Sequence, residues 1–162
     1  KGRSHMLTAA IGPISACVEE IKTLIPTHYD EISEHKLRGY PLEPRYDTYL
    51  ARDAVGEVIF VALREEGKLV GYLISFVSSG MHYESCLTSI TDIFFVYPDQ
   101  RGMQGGVMLF SEWIKECTRR GVVLMAAGFK SKHAKHVRPI LEAMGFFEAE
   151  IIFWKFKDKE AP

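Results

Sequence analysis

Hydrophobic positions along this chain fall into two spacings, and the spacing predicts the elements. Ile14, Val18, Ile21, Leu24, Ile25 and Ile32 recur at the threes and fours of one helix face, which predicts a helix interrupted near Pro26 and then resumed. "GYPLEPRYDTYLARD" reads as a proline-marked loop followed by a short helix from about Pro44. In "EVIFVALREEGKLVGYLISFVSS" two β-rich runs flank "EEGK", a hairpin signal. A third strand is predicted at "CLTSITDIFFVY".

After a glycine-rich turn the helical spacing returns. Val107, Phe110, Trp113, Ile114 and Cys117 share one face, and Gly121 is placed to stop the helix near Arg120. "VVLMAAG" is short and wholly apolar, the pattern of a strand covered on both faces. A further helix is expected around "HVRPILEAMG", with Pro139 near its first turn, and a last strand at "EAEIIFWKFK". Phe94, Phe110, Trp113, Phe153 and Trp154 sit at periodic positions and read as core. The order joins an antiparallel start to a βαβ unit, so the expected class is α/β with one mixed sheet.

Composition narrows the function. The chain has 162 residues, 47% hydrophobic and 25% charged, which suits one globular domain. Residues 1–5, before Met6, read as a cloning remnant, leaving 6–162 as the domain. The formal net charge of −1 supplies no basic field and argues against a nucleic-acid partner. Cys17, Cys86 and Cys117 lack ligand spacing and read as buried free thiols, and no metal site is expected. No apolar run is long enough to span a membrane, and a cytoplasmic location is expected.

The candidate chemistry lies in "DIFFVYPDQRGMQGGVMLF". A helix start carries unpaired N–H groups and partial positive charge, and glycines let a ligand approach that backbone, so this turn suits an anion such as phosphate. Gly102, Gly105 and Gly106 give access and Arg101 a fixed charge. A turn without a ligand is the competing reading. Neither a dinucleotide G-x-G-x-x-G nor a P-loop lysine is present.

This stretch resembles the GNAT-type acyltransferases, which use acetyl-CoA. The resemblance rests on the strand, the Val-x-Pro, the Arg-Gly pair, Gly106 and Leu109, and downstream on "ILEAMGFFEAE" with its "GF". "THYDEISEH" and "HAKH" are similar to versions encoded by tailed bacteriophages. The resemblance implies a single-domain GNAT fold: a mixed, mostly antiparallel sheet with a central parallel βαβ unit flanked by helices. It implies an N-acetyltransferase acting by direct transfer from acetyl-CoA to a primary amine on a small molecule or a protein; a homodimer is compatible with it. Arg101, Gly102, Met103, Gln104, Gly105, Gly106 and Val107 would hold the pyrophosphate, and Phe94, Phe95 and Val96 would line the pantetheine slot.

Two departures stand out: Gln104 replaces a usual glycine, and Leu141 replaces the tyrosine that protonates the departing thiolate in many relatives. They leave open an inactive acyl-CoA-binding or interaction module of the same fold. Asp92 is the first candidate for general base and His82 the second, with Tyr83 beside it a candidate acceptor contact. His28, Glu31 and His35 recur at helical spacing and could line the acceptor mouth, though they also read as a solvated face. "KSKHAKH" reads as an exposed basic cluster.

Overall fold

A computed structural model describes residues 6–102 and 104–157. Strand β1 (Leu7–Ile11) leads through a 3-10 turn to helix α1 (Val18–Ile32), the single turn α2 (Glu34–Leu37) and α3 (Tyr46–Ala54). Strands β2 (Val58–Glu65), β3 (Lys68–Gly80) and β4 (Tyr83–Val96) follow, then α4 (Gly105–Arg119), β5 (Val122–Ala126) and α5 (Ala134–Ala143). The sheet order is β1-β2-β3-β4-β5, antiparallel except for the parallel β4–β5 pair joined by α4. The mixed α/β sheet expected from the sequence is therefore present, with its βαβ unit at one end of the described strands.

The β2–β3 hairpin turns where the sequence placed it, because Glu66 and Gly67 both take positive φ (49° and 85°), the geometry that matches strand twist in a two-residue turn. The sheet is buried on both faces. On one, Leu109, Phe110, Trp113 and Cys117 of α4 and Val137 and Leu141 of α5 pack against Ile59, Val61, Leu63 and Leu73. On the other, Ile14, Val18, Ile21, Leu24 and Ile25 meet Phe60, Tyr72, Ile74 and Phe95. Each such side chain, fully buried, contributes about 1.5–3 kcal/mol. Leu109, not Val107, completes the buried face of α4, since Val107 is exposed. That face also carries a polar knot: the Trp113 indole N–H donates to Ser75 Oγ (2.9 Å) and Ser89 Oγ (3.1 Å), pinning the helix to β3 and β4.

Five expectations change. β1 is an element that the pattern did not announce; "LTAAI" is short and only half-buried. Pro26 does not interrupt α1, because Ile21, Leu24, Ile25 and His28 around it are all buried and their packing outweighs the missing hydrogen bond; the break comes at Ser33, whose hydroxyl accepts from the Lys36 N–H. Pro139 is likewise the sixth residue of α5 rather than near its first turn.

β5 is not covered on both faces. Val123 and Leu124 are exposed because no described strand continues the sheet beyond it. The segment "EAEIIFWKFK" forms no strand, and Phe153 (91% exposed) and Trp154 are not core. Its start is held by a Glu148–Arg138 ion pair. Its rings go to α2 and the residues around it: Phe156 and Trp154 edge onto His35, Arg38 lies over Phe156, and Lys130 lies over Trp154. Cys17 and Cys117 are buried free thiols, as expected, and Cys86 is half-buried.

Candidate active site

Past Val96 the chain turns through Pro98–Gln100 and reverses into α4. Gly102 (φ 85°) and Gln104 (φ 64°) both take left-handed backbone, so Gln104 performs the turn itself where a glycine was expected. No side chain caps α4, and the Met108 N–H bonds to the Gln104 carbonyl (2.9 Å). The N–H groups of Gly105, Gly106 and Val107 thus open a helix start of partial positive charge. A Cβ on Gly105 would meet Leu63 at 2.7 Å, so this glycine lets α4 sit down on the sheet, whereas one on Gly106 would make ordinary contact with the Phe94 ring at 3.4 Å and Ile140 at 3.8 Å. Met103 lies outside the described residues.

Arg101 does not reach forward from this loop. Its Nη1 and Nη2 donate to the two carboxylate oxygens of Glu31 (2.6 Å each) and its Nε to the Val96 carbonyl (2.9 Å). The pair ties α1 to the loop, and Arg101 holds the Glu31 carboxyl below its usual pKa. Lys132 donates to the Glu31 carbonyl (2.6 Å), which brings the "KSKHAKH" segment against the end of α1. His133 there is half-buried rather than exposed; burial lowers its pKa, and its Nε2 is enclosed without a hydrogen-bond partner among the described residues. Lys132, Lys135 and His136 are exposed, as expected.

His28 does not lie on a solvated face. It is 6% exposed, stacks on Phe95 (centroids 4.7 Å) and lies 3.5 Å from the Tyr72 hydroxyl. Burial pushes its pKa down to about 4 against a smaller opposing pull from Glu31. Phe95 therefore faces the α1 core, whereas Phe94 packs on Phe110 (4.7 Å) and Val96 is buried on the α4 side. What these three offer a slot is backbone.

β4 is paired on its two edges over different lengths. β4 and β5 pair only from Leu87 and Val122 to Ile90 and Ala126, after which the strands part, with the Gly128 N–H donating to Thr91 Oγ1 (3.0 Å). On the other edge the β3 register jumps from Ser75–Thr91 to Ile74–Ile93, leaving Asp92 as the extra residue of a bulge. Asp92 is thus mid-strand and exposed. Its carboxylate accepts a hydrogen bond from the Tyr49 hydroxyl of α3. Burial and Asp92 together raise the Tyr49 pKa, so the phenol stays a donor. Tyr49 in turn stacks on Phe76 (5.6 Å).

A cavity of about 280 Å³ opens beside this pair, between α1, the 41–44 loop, Tyr49 and Ile93. His82 and Tyr83 do not join it. They occupy the exposed β3–β4 tip, ten residues up the strand from Asp92, roughly 30 Å at strand rise. His35, one of the three residues offered for the acceptor mouth, lines this cavity, whereas Tyr49 escaped the sequence reading, because nothing local in "YDTYLARD" ties it to a carboxylate 43 residues away. Among the described residues no cluster of three or more His, Cys, Asp or Glu could hold a metal.

Compared by sequence, the chain matches no protein-family model and no curated protein. Compared by structure, it superposes on acetyltransferases over nearly its whole length. An aminoglycoside acetyltransferase from an uncultured soil metagenomic sample, in complex with trehalose, aligns at TM-score 0.73 and 12% identity over 94% of this chain and 97% of that one. The ribosomal-protein-alanine N-acetyltransferase of Brucella melitensis biovar Abortus 2308 aligns at 0.71 and 15% over 96% and 100%. This chain has the GNAT fold. Aminoglycoside N-acetyltransferase AAC(6')-Iy in complex with CoA shares that fold at TM-score 0.68 and 16% identity over 97% and 98%. Within the GNAT fold here, Leu141 is a core residue, 5% exposed, so its position provides no hydroxyl.

Proposed function

We propose that this chain is an N-acetyltransferase that moves an acetyl group from acetyl-CoA to the primary amine of a small molecule. The observation that carries the reading is the parting of β4 and β5 beyond Ile90, which frees one backbone edge of β4 and runs into the uncapped start of α4. Free strand amides suit the pantetheine amides, and the α4 start suits a pyrophosphate. A fold shared with an acetyltransferase solved with CoA supports the same cosubstrate.

In this reading the neutral amine nitrogen bonds to the thioester carbonyl carbon, the C–S bond breaks, and the departing thiolate takes up, directly or through water, the proton that the nitrogen releases as it becomes an amide. Asp92, exposed at the bulge, receives the proton that the ammonium must lose, directly or through water. A main-chain N–H of the free β4 edge polarises the carbonyl. Arg101 acts through Glu31 and Val96 rather than on the phosphates, leaving the anion to the amides of Gly105, Gly106 and Val107. One observation favours the alternative of an acyl-CoA-binding chain without turnover: Leu141 is buried and apolar where the resemblance places a proton donor.

Thermal denaturation with increasing acetyl-CoA tests the cosubstrate. Above Kd, each tenfold increase should add about 1.4 kcal/mol of stability. An unchanged melting point at millimolar acetyl-CoA removes the proposal's main support. Release of free thiol with a panel of amines then separates enzyme from binding module.

A further inference from the structure

The cavity beside Asp92 is lined half by apolar side chains, Ile25, Pro41, Leu42, Pro44 and Ile93, and half by groups that carry hydroxyls, an imidazole and one carboxylate: Tyr29, Ser33, His35, Tyr49 and Glu43. Of the described residues lining it, Glu43 alone carries a carboxylate, and Asp92 adds a second at its edge through the Tyr49 hydroxyl. The two prolines fix the backbone of the wall, so its shape is largely set before a ligand arrives. Its volume, about 280 Å³, falls just under the range of about 300–1,000 Å³ that drug-sized ligands fill.

Charge and size together select the occupant. An acceptor with several ammonium groups would find one carboxylate in the lining and leave its other charges without a counter-ion there, at a desolvation cost that the hydroxyls of Tyr29, Ser33 and Tyr49 offset only in part. One ammonium can pair with Glu43 in the lining, with Asp92 reached at the edge through Tyr49, while an apolar body displaces water from Ile25, Leu42 and Ile93. The aminoglycoside acetyltransferase of similar fold was also solved with sisomicin, a ligand of several amines. A lining with one carboxylate offers less counter-charge than such a ligand brings.

We propose that the acceptor is a primary monoamine with a small aromatic or branched aliphatic body, bound in this cavity with its nitrogen at Glu43 and Asp92 at the cavity's edge. The assignment rests on the acetyltransferase reading for its chemistry, and on the cavity alone for its specificity. Glu43 is then a specificity-determining residue, holding the one charge that such an amine brings.

Binding, read apart from turnover, tests it. Calorimetric titration of 2-phenylethylamine and, separately, of sisomicin into the full chain saturated with CoA should give at least tenfold tighter binding of 2-phenylethylamine. Glu43→Gln should weaken 2-phenylethylamine about tenfold. Pro41→Glu, which places another carboxylate at the exposed rim, should narrow the gap. Sisomicin binding as tightly as 2-phenylethylamine, or Glu43→Gln leaving 2-phenylethylamine unaffected, overturns the assignment. So does the absence of binding by 2-phenylethylamine. If CoA itself does not bind, the acetyltransferase reading is lost, and the same titrations on the free chain still decide the cavity.

Discussion

His28 shows how far a single residue can depart from the character of its neighbours. In "THYDEISEH" it looks like one member of a polar stripe, yet the helix turns it under, onto Phe95 and Tyr72. A buried neutral histidine makes stability depend on pH in a defined direction. Its folded pKa, about 4, lies below its ordinary 6.5, so the unfolded chain binds more protons between those values and stability falls as pH drops through that window. The full effect is on the order of 3 kcal/mol. Melting temperatures measured from pH 7 to pH 4.5 should fall for the native chain and fall less for His28→Gln. Equal slopes for the two would mean that His28 is already solvated. Glu116, held down to about 2 mainly by Arg119 and helped by Arg120, keeps its stabilising contribution above its ordinary 4.5 and loses it as pH falls from there toward 2, beneath the range measured.

Elements were readable where their signal is local. The hairpin follows from two turn residues, and α4 from its apolar period and Gly121, which stops it at φ 75°. Segment 148–157 has an equally good strand pattern and forms no strand, because a strand requires a partner edge and no pattern within one segment supplies it. The same limit hid the Glu31–Arg101 pair, whose members are 70 residues apart. Gly106 illustrates what the structure adds to a motif. A Cβ there points at Phe94 and Ile140, into packing rather than toward a ligand. Gly106→Ala should therefore keep both fold and acetyl-CoA affinity, while Gly106→Val should cost about 1–3 kcal/mol in denaturant unfolding by overpacking. Loss of acetyl-CoA affinity in the alanine variant at unchanged stability would place the ligand on that side of the helix instead.

Across the whole molecule, one sheet separates two cores, and β4 serves both. Up to Thr91 its odd-numbered residues face α4, as buried Ser89 does beneath Trp113; beyond Asp92 the even-numbered Phe94 and Val96 take over that face. The extra residue is what reverses the parity. Removing Asp92 would restore an unbroken alternation and still leave Phe94 and Val96 toward α4 and Phe95 toward α1. The bulge is then an insertion that the packing does not require, and on the proposed role of Asp92 fold and chemistry would be separable by one codon. A chain lacking Asp92 should melt cooperatively within a few degrees of the parent, keep its far-ultraviolet circular dichroism, and release thiol from acetyl-CoA about 10²–10⁴-fold more slowly in the presence of its amine. Failure of that chain to fold would show that the bulge holds the sheet together. Otherwise a lineage, or an engineer, could switch this protein between a nearly silent scaffold and an active one without repacking either core.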